Sequence, residues 1–260
     1  MKLSILTENV ASGHFTAEFG LSYLIEYGDE TVLFDTGHSD NFLQNAKRLN
    51  IDIDKVKTVV LSHGHWDHGN GLKFIKNKKL ICHPNVFIKR YRRTDNFHIG
   101  LDLSYKKLNR KFQIITSKEP YNISENVIFL GEIPRLNSFE SQNTPFVDEN
   151  GNDDFIMDDS ALAIITNGEL VVVSGCSHSG ICNIVEYAKK VTGLDRIKVV
   201  MGGFHLVLNN NQTKQTVNFF KEQKIKYLLP SHCTKLPALS AFYNEFQINQ
   251  VTAGMVFNFK

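Results

Sequence analysis

The sequence predicts an α/β (α+β) fold that is built from two mixed β-sheets with helices on their outer faces. The first observation is a repeated order. Hairpin-forming strands followed by alternating strand and helix patterns occur twice, and the two halves meet near Glu119–Asn126. The second is a pair of hairpin turn signals, Gly28-Asp29 and Asn167-Gly168, at matching places in the two halves. The third is that neither half has a second layer to cover its own sheet, so we expect a single domain over residues 1–260.

The first half contains short strand patterns around one predicted helix. Asp40 is expected to cap this helix, because apolar residues recur behind it at helical spacing. A second helical segment is expected to begin around Leu72, after a polar loop. The strands are predicted at Leu3–Thr7, Phe19–Tyr27, Thr31–Phe34, Thr58–Leu61 and Lys79–Cys82.

The second half repeats this organisation with three predicted helices. Ser179 is expected to cap the first, which Gly193 ends, Thr213 opens the second, and Pro237 suits the first turn of the third. The strands are predicted at Asn126–Leu130, Ala161–Thr166, Leu170–Ser174, Lys198–Met201, Lys226–Leu229 and, by alternation, Val251–Phe259.

Length and composition exclude several classes of protein. With 260 residues, 42% of them hydrophobic, and a net charge of +2, the chain can bury a large core and gives no reason to expect a nucleic-acid or membrane partner. Glu8 follows the start too closely for a signal peptide. Cys176 and Cys233 lie close to histidines, so we expect reduced thiols and a cytoplasmic protein. No serine-hydrolase elbow, phosphate-binding P-loop or Cys-x-x-Cys pair is found.

Four side chains able to bind metal lie within six positions after a predicted buried strand: His63, His65, Asp67 and His68. Alternate residues of an extended backbone point the same way, so His63 and His65 can meet one ion, while Asp67 and His68 follow a turn and can meet a second. Imidazole and carboxylate oxygen suit zinc, and also manganese or iron. The alternative is a polar loop whose histidines cap turns. We favour a site for one or two ions because capping does not require so many ligand-type residues together.

The pattern His63-x-His65-x-Asp67-His68 after an apolar strand resembles the signature motif of the metallo-β-lactamase superfamily. Further stretches resemble that superfamily's first motif and the later motifs of one branch, the "metal-dependent hydrolase, β-lactamase superfamily II" group, which includes a dihydropterin–ribofuranosylaminobenzene-phosphate synthase-like protein. The stretches are Leu33–Gly37, Gly131–Arg135, Ser174–Gly180, Gly202–Leu206 and His232–Thr234. The resemblance implies a four-layer αββα sandwich of two mixed sheets.

The resemblance also implies further site residues. His178 and His232 would complete the metal ligands, and Cys176 stands where the superfamily often has a bridging aspartate, so either its thiolate or water alone would bridge. The superfamily's usual Gly-His-Thr histidine has no match. Asp35 would accept a hydrogen bond from the other ring nitrogen of a ligand histidine, and it can also cap its own turn. His205, after two glycines that allow close approach, is either catalytic or structural.

A basic segment, residues 84–111, differs in character from its surroundings. It holds eight lysines and arginines against two aspartates, with aromatic residues interleaved. One interpretation is a solvated excursion between strands, and the other is a lid that presents cations to an anionic substrate. On the second interpretation Arg92 and Arg93 bind the substrate, and Arg135 adds a cation from the second half.

We therefore expect a metal-dependent hydrolase that uses activated water on a small, anionic ester, phosphoester or lactone. Asp67 would orient the water as well as bind metal, and His205 is the second candidate catalytic residue. The alternatives are a dihydropterin-type synthase acting on a phosphorylated substrate, an iron-dependent redox protein on the same ligands, and a non-catalytic binding module. Fold alone does not distinguish the first three possibilities.

Overall fold

The computed structural model describes residues 1–259, which divide into two compact units. The first unit contains Met1–Lys118, Pro145–Asp154 and residues 251–259, and the second contains Glu119–Thr144 and Phe155–Gln250. The second unit begins in the region where the sequence predicts that the halves meet. The return of residues 145–154 and of the C-terminal segment to the first unit was not predicted, and the single-domain interpretation stays a prediction.

The strands cover most of the positions that the sequence predicts. Within residues 1–259 they are β1 Lys2–Thr7, β2 Ser22–Tyr27, β3 Glu30–Phe34, β4 Thr58–Val60, β5 Lys78–Cys82, β6 Arg90–Arg92, β7 Phe112–Thr116, β8 Tyr121–Asn122, β9 Val127–Phe129, β10 Phe146–Asp148, β11 Ala161–Thr166, β12 Glu169–Ser174, β13 Ile197–Gly203, β14 Tyr227–Ser231 and β15 Val256–Asn258. The final strand is shorter than the predicted Val251–Phe259. Apolar residues recur at every second position from Val251 onward, but Ala253 forms only an isolated bridge with Ala11 and the paired strand begins at Val256.

The predicted helices are present, but some of them begin at a different residue than expected. The α-helices are α1 Asn41–Arg48, α2 Trp66–Gly69, α3 Tyr105–Leu108, α4 Ile181–Thr192, α5 Asn211–Gln223 and α6 Leu236–Phe246, with 3₁₀ turns at Ile53–Lys55, Asn70–Phe74 and Pro84–Phe87. The helical segment expected near Leu72 thus begins earlier, at Trp66. Among the described residues, no helix combines the length and apolar character needed to cross a bilayer.

Two predicted helix caps are wrong, because a different side chain accepts from the helix-start amides in each case. Asp40 makes no side-chain cap, and the amide of Asn41 donates to Ser39 Oγ instead, at 3.1 Å. The helix expected to open at Thr213 begins two residues earlier, at Asn211, and Asn210 caps it by accepting from the Thr213 amide at 3.1 Å. Ser179 does not cap α4.

The start of α4 is capped from a distant part of the chain. The Glu140 carboxylate accepts from the amides of Cys182 at 3.0 Å and Asn183 at 2.9 Å, while the Ser179 hydroxyl donates to Asp159. A carboxylate at a helix N-terminus satisfies orphan amides and opposes the positive end of the helix dipole. Burial nonetheless raises the pKa of Glu140, against the lowering effect of these hydrogen bonds.

The first unit is built on a seven-stranded mixed sheet in the order β15-β1-β2-β3-β4-β5-β7. Strands β15 to β3 pair antiparallel, and β3, β4, β5 and β7 pair parallel. Leu33, Val59 and Leu80, on three of the parallel strands, join Phe42 of α1 in one buried cluster. The carboxyl ends of β3 and β4 therefore lie side by side at one edge of this sheet, where ligands commonly bind in parallel sheets.

The second unit is built on a six-stranded mixed sheet in the order β14-β13-β12-β11-β9-β8. Strands β12, β13 and β14 are parallel and are connected through α4 and α5. Val172 and Val200 pack with Ile184 of α4 and Phe220 of α5 in a buried cluster. The predicted α/β class with two mixed sheets is thus confirmed.

Candidate metal centre

The histidine loop, residues 62–68, lies where β4 ends. The amide of Leu61 still donates to Ile81 of β5 at 2.9 Å, which keeps the loop attached to the sheet, and His65 forms an isolated antiparallel bridge with Gly100. The amide and hydroxyl of Thr36 both donate to the carbonyl of His68, at 2.8 and 3.1 Å. The turn after β3 therefore holds the histidine loop through its backbone.

The loop gathers its three imidazoles and its carboxylate in a buried volume. His63 and His68 are fully buried, and His65 and Asp67 are 6% and 5% exposed. The ring centroid of His63 is 4.5 Å from that of His65 and 4.3 Å from that of His68. Oδ2 of Asp67 lies 3.8 Å from Nε2 of His68. The four side chains that the sequence selects in the first unit are thus close neighbours.

One carboxylate orients two of these rings. Asp35 Oδ2 accepts hydrogen bonds from His68 Nδ1 at 2.6 Å and from the Ser62 hydroxyl at 2.7 Å, and Oδ1 accepts from the Ser62 amide at 2.7 Å. Because the Ser62 hydroxyl donates to Asp35, its oxygen is left to accept from His63 Nδ1, 2.9 Å away. Both rings then carry their proton on Nδ1, which directs a lone pair to Nε2.

This arrangement fits a metal ion. Zinc and related ions bind neutral imidazole, and a ligand histidine usually donates its other N–H to a carboxylate or a similar acceptor. Asp35 does this directly for His68 and through Ser62 for His63. The ligand-type atoms of the pairs His63–His65, His63–His68 and Asp67–His68 lie within 4.8 Å of each other. The donor set and its tautomers therefore suit a divalent ion.

The second unit brings two predicted site residues, Cys176 and His205, together with Cys233. Ligand-type atoms of Cys176, His205 and Cys233 lie within 4.8 Å of one another. The amide of His205 donates to Cys233 Sγ at 3.3 Å, and that thiol lies 3.5 Å from the carbonyl oxygen of Cys176. The ring of His178 is 4.3 Å from the ring of His205, and His232 directly precedes Cys233.

The thiol of Cys233 and the imidazole of His205 shift each other's pKa. Burial acts to raise the pKa of Cys233, but hydrogen bonds from Cys176 and His205 and the nearby charge of His205 and His232 hold it well below its usual range. Burial likewise acts to lower the pKa of His205, and the hydrogen bond and charge of Cys233 raise it instead. Each of the two groups therefore shifts the pKa of the other in the direction that favours its charged form.

The turn that carries Cys176 and His178 is fixed by Asp159. The carboxylate accepts from the amide of Ser179 at 2.9 Å and from its hydroxyl. Burial raises the pKa of Asp159 to about 6, against the lowering effect of these hydrogen bonds and of Arg135. Asp159 therefore positions this turn through Ser179.

The arginines predicted to bind substrate make contacts within the protein. Arg92 forms a bidentate contact with Asp95, with Nε 2.9 Å from Oδ1, and Arg93 contacts Asp153. Arg135 donates to the carbonyls of Ile133 at 2.7 Å and Phe155 at 3.0 Å. Arg92 and Arg93 remain about half exposed, at 46% and 49% of their side chains, so their role in substrate binding stays a prediction.

Sequence reasoning missed two residues of these clusters. Ser62 links Asp35 to His63, and the available signal was its place directly between the strand and the first histidine. Cys233 was noted only as a neighbour of His232, yet it contacts both Cys176 and His205. No local pattern identifies Cys233, because its partners are contributed by other strand ends of the second sheet.

Comparison with known proteins identifies the family of this arrangement. A family model described as the metallo-beta-lactamase superfamily matches residues 15–189. The chain is 36% identical over 262 residues to the uncharacterized protein MJ0448 of Methanocaldococcus jannaschii, a match that covers 98% of this chain and 97% of the relative.

Two further relatives carry functional descriptions of their own. The 7,8-dihydropterin-6-methyl-4-(beta-D-ribofuranosyl)-aminobenzene-5'-phosphate synthase of the same organism is 30% identical over 286 residues, covering 100% of this chain and 97% of the relative. The crystal structure of Tm1679, described as a metal-dependent hydrolase of the beta-lactamase superfamily, matches with a TM-score of 0.89 and 31% identity over 100% of this chain and 99% of that one.

Proposed function

Since the chain belongs to the metallo-beta-lactamase superfamily, we propose that it is a metal-dependent hydrolase acting on a small, anionic ester, phosphoester or lactone. The observation that carries the proposal is the pair of imidazoles, His63 and His68, whose Nδ1 protons are held by Asp35 and Ser62. A polar loop without a catalytic task has no need for a buried carboxylate that fixes two tautomers. The description of Tm1679 as a metal-dependent hydrolase agrees with the proposal.

The four ligand-type residues of the histidine loop each have a part in this proposed function. His63 and His65 would hold one ion, and Asp67 with His68 would hold a second, with zinc favoured over manganese and iron by the nitrogen-rich set. A divalent ion held there would supply Lewis acidity. Such an ion lowers the pKa of bound water toward neutral pH and withdraws charge from a carbonyl or phosphoryl oxygen. Asp67, almost fully buried, would accept a hydrogen bond from the attacking water and orient it.

The second unit contributes further candidates. Cys176, His178 and His232 are proposed as additional ligands, and His205 as a catalytic residue. The support for His205 is its raised pKa, since a protonated imidazole can donate a proton to a leaving group.

The test is metal analysis followed by a substrate screen. Protein purified without chelator is expected to hold about one to two equivalents of divalent metal, and to hydrolyse at least one member of a panel of phosphodiesters, phosphomonoesters, lactones and thioesters. Chelation should abolish the activity, and re-addition of zinc should restore it. The proposal would be refuted if the purified protein contained no metal and also failed to bind added zinc, manganese or iron.

A second candidate function is a transferase of the synthase type. It is favoured by the relative described as a dihydropterin–ribofuranosylaminobenzene-phosphate synthase, which is 30% identical over the whole of this chain. The two reactions differ in the fate of water. Turnover in ¹⁸O-labelled water incorporates the label into the product of a hydrolase and leaves the product of a group transfer between two substrates unlabelled.

A further inference from the structure

An aromatic surface adjoins the histidine loop in the first unit. It consists of Phe19, His38, Trp66 and Phe97, which we call the aromatic platform. Phe19 stacks on Trp66 with ring centroids 5.9 Å apart and an interplanar angle of 23°. His38 and Phe97 meet the edges or faces of the same indole, with centroids 4.8 and 6.3 Å away. Trp66 lies in the chain between two candidate metal ligands, His65 and Asp67.

The aromatic rings of the platform are more exposed to solvent than is usual for large apolar side chains. Phe19 is 46% and Phe97 is 49% accessible to solvent, and Trp66 is half-buried. Large rings that stay accessible in one contiguous group commonly mark a binding surface rather than a solvated one. Aromatic rings prefer offset and edge-on arrangements, and these are the geometries in which a further flat ring can join such a group.

Hydrogen bonds and a close backbone approach hold the Phe19 and His38 side of the platform in place. The His38 amide donates to Glu18 Oε1 at 3.0 Å, and its ring nitrogen Nδ1 lies 3.0 Å from the carbonyl oxygen of Phe19. Gly20 follows Phe19, and a Cβ at Gly20 would lie only 2.7 Å from the carbonyl oxygen of Asp67. This close backbone approach fixes the Phe19 loop directly against the histidine loop.

A cation completes the platform. The guanidinium of Arg92 lies over the ring of Phe97, with Cζ 5.3 Å from the centroid, and the contact with Asp95 holds it in that place. An arginine on an aromatic face offers both a flat surface and hydrogen-bond donors for an anion. A ligand with a conjugated ring and an acidic group would therefore find both of its parts matched.

We propose that the aromatic platform binds the flat, conjugated ring of the substrate, with the anionic group of that ring system directed to Arg92. The inference rests on the proposed function, because it assigns one part of that function's substrate. It narrows the substrate class from small anions in general to planar ring compounds that carry a carboxylate or a phosphate. Phe19, Trp66 and Phe97 would act as specificity-determining residues.

Trp66 is the chain's single tryptophan, which provides a direct assay of ring binding. The probe is pterin-6-carboxylate, a planar conjugated bicycle with an acidic group that accepts energy from indole. Titration into the protein as purified should quench Trp66 fluorescence with saturation, and cyclohexanecarboxylate, an anion of similar charge without a flat ring, should not displace the probe.

The position of the probe follows from matched variants. Phe19→Leu and Phe97→Leu should each raise the Kd of pterin-6-carboxylate about three- to tenfold, since each removes one ring contact. The control is Phe74→Leu, because Phe74 is 45% exposed and carries Lys73 over its ring at 5.1 Å but is not part of the platform. All three variants should keep wild-type circular dichroism and thermal midpoints within a few degrees.

The results separate this inference from the function on which it rests. Wild-type-like Kd values in Phe19→Leu and Phe97→Leu, an equal loss in Phe74→Leu, or displacement by cyclohexanecarboxylate would overturn the platform, even for a protein that hydrolyses a screened ester. Platform-dependent binding by a protein that holds metal and hydrolyses nothing would retain the platform and overturn the hydrolase.

Discussion

Replacing Asp35 by asparagine should weaken metal binding through two histidines at once. The side chain keeps its shape, so its amide oxygen can still accept from the Ser62 amide, as Oδ1 does at 2.7 Å. An NH₂ group then takes the place of Oδ2, which accepts from His68 Nδ1 and from the Ser62 hydroxyl in the wild type. The new donor faces two groups that were themselves donors.

The hydrogen bonds must then reverse their direction. His68 has to accept at Nδ1, which moves its proton to Nε2, and Ser62 has to accept from Asn and donate to His63 Nδ1, which does the same to His63. A proton on Nε2 blocks the nitrogen that would bind metal. Loss of one such supporting contact typically lowers metal affinity about 10- to 100-fold, or ~1.4–2.7 kcal/mol, so two affected ligands should put Asp35→Asn at or beyond the upper end.

The measurement is zinc affinity by competition with a chromogenic chelator. Ser62→Ala interrupts only the link to His63, so this variant should bind zinc about tenfold more weakly than wild type. Ser22→Ala is the matched control, since it removes a buried hydrogen bond to the backbone carbonyl of Asp35, at 2.9 Å, and leaves the carboxylate intact. That variant should lose stability but not affinity. An Asp35→Asn protein that binds zinc within about threefold of wild type would refute the tautomer argument.

Three other variants test the remaining assignments. His65→Ala should hold less metal on elemental analysis than wild type, whereas His14→Ala, at an exposed position outside the loop, should hold as much; equal occupancy in the two would remove His65 from the ligands. If Cys176 binds metal as a thiolate, cobalt-loaded protein should show a sulfur-to-cobalt charge-transfer band that Cys176→Ser abolishes, and a band that survives would assign the sulfur ligand elsewhere. Because burial raises the pKa of Glu140 above 4.5 in the folded state, its stabilising contribution is complete below that pH and is lost as the pH rises through the raised pKa. Urea unfolding of Glu140→Gln should therefore show a flatter fall in stability above pH 4.5 than wild type, together with a lower free energy of unfolding from the lost cap, about 1 kcal/mol.

The fold and the first half of the candidate site are readable in the sequence because both depend on local patterns. Runs such as Thr58–Val60 and Glu169–Ser174 form the predicted strands, since their apolar residues are buried in a sheet. His63, His65 and His68 were selected from their spacing alone, and the superfamily that this spacing predicts is confirmed by the match over residues 15–189. The hydrogen bonds by which Asp35 and Ser62 orient the two histidines were predicted only in part. The link from Asp35 to His63 depends on the direction of the Ser62 hydroxyl, which the sequence does not show.

The basic segment shows why charge counted along the chain misleads. Residues 84–111 hold eight cations against two acids, which allowed either a solvated excursion or a lid that presents cations to a substrate. In the structure β10 pairs with β6 and returns acids to this segment from more than 50 residues away along the sequence. Lys89 lies 3.4 Å from Glu149, buried Arg90 lies 3.2 Å from Asp154, and Arg93 contacts Asp153. Strand pairing, which no local pattern encodes, decides how much positive charge remains for a substrate.

Several candidate site residues share a backbone conformation that propensity does not predict. Asp35, Ser177, His205 and His232 adopt left-handed φ values of 56°, 56°, 50° and 47°. The left-handed region costs a non-glycine residue about 1–2 kcal/mol, and residues are kept there only where the surrounding structure over-determines the conformation. Asp35 follows β3, Ser177 follows β12, His205 follows β13 and His232 follows β14. Lys224 and Gln247 adopt the same conformation where α5 and α6 end. The left-handed conformation therefore agrees with the proposed site only where it coincides with a ligand-type side chain at a strand end, as it does at Asp35, His205 and His232.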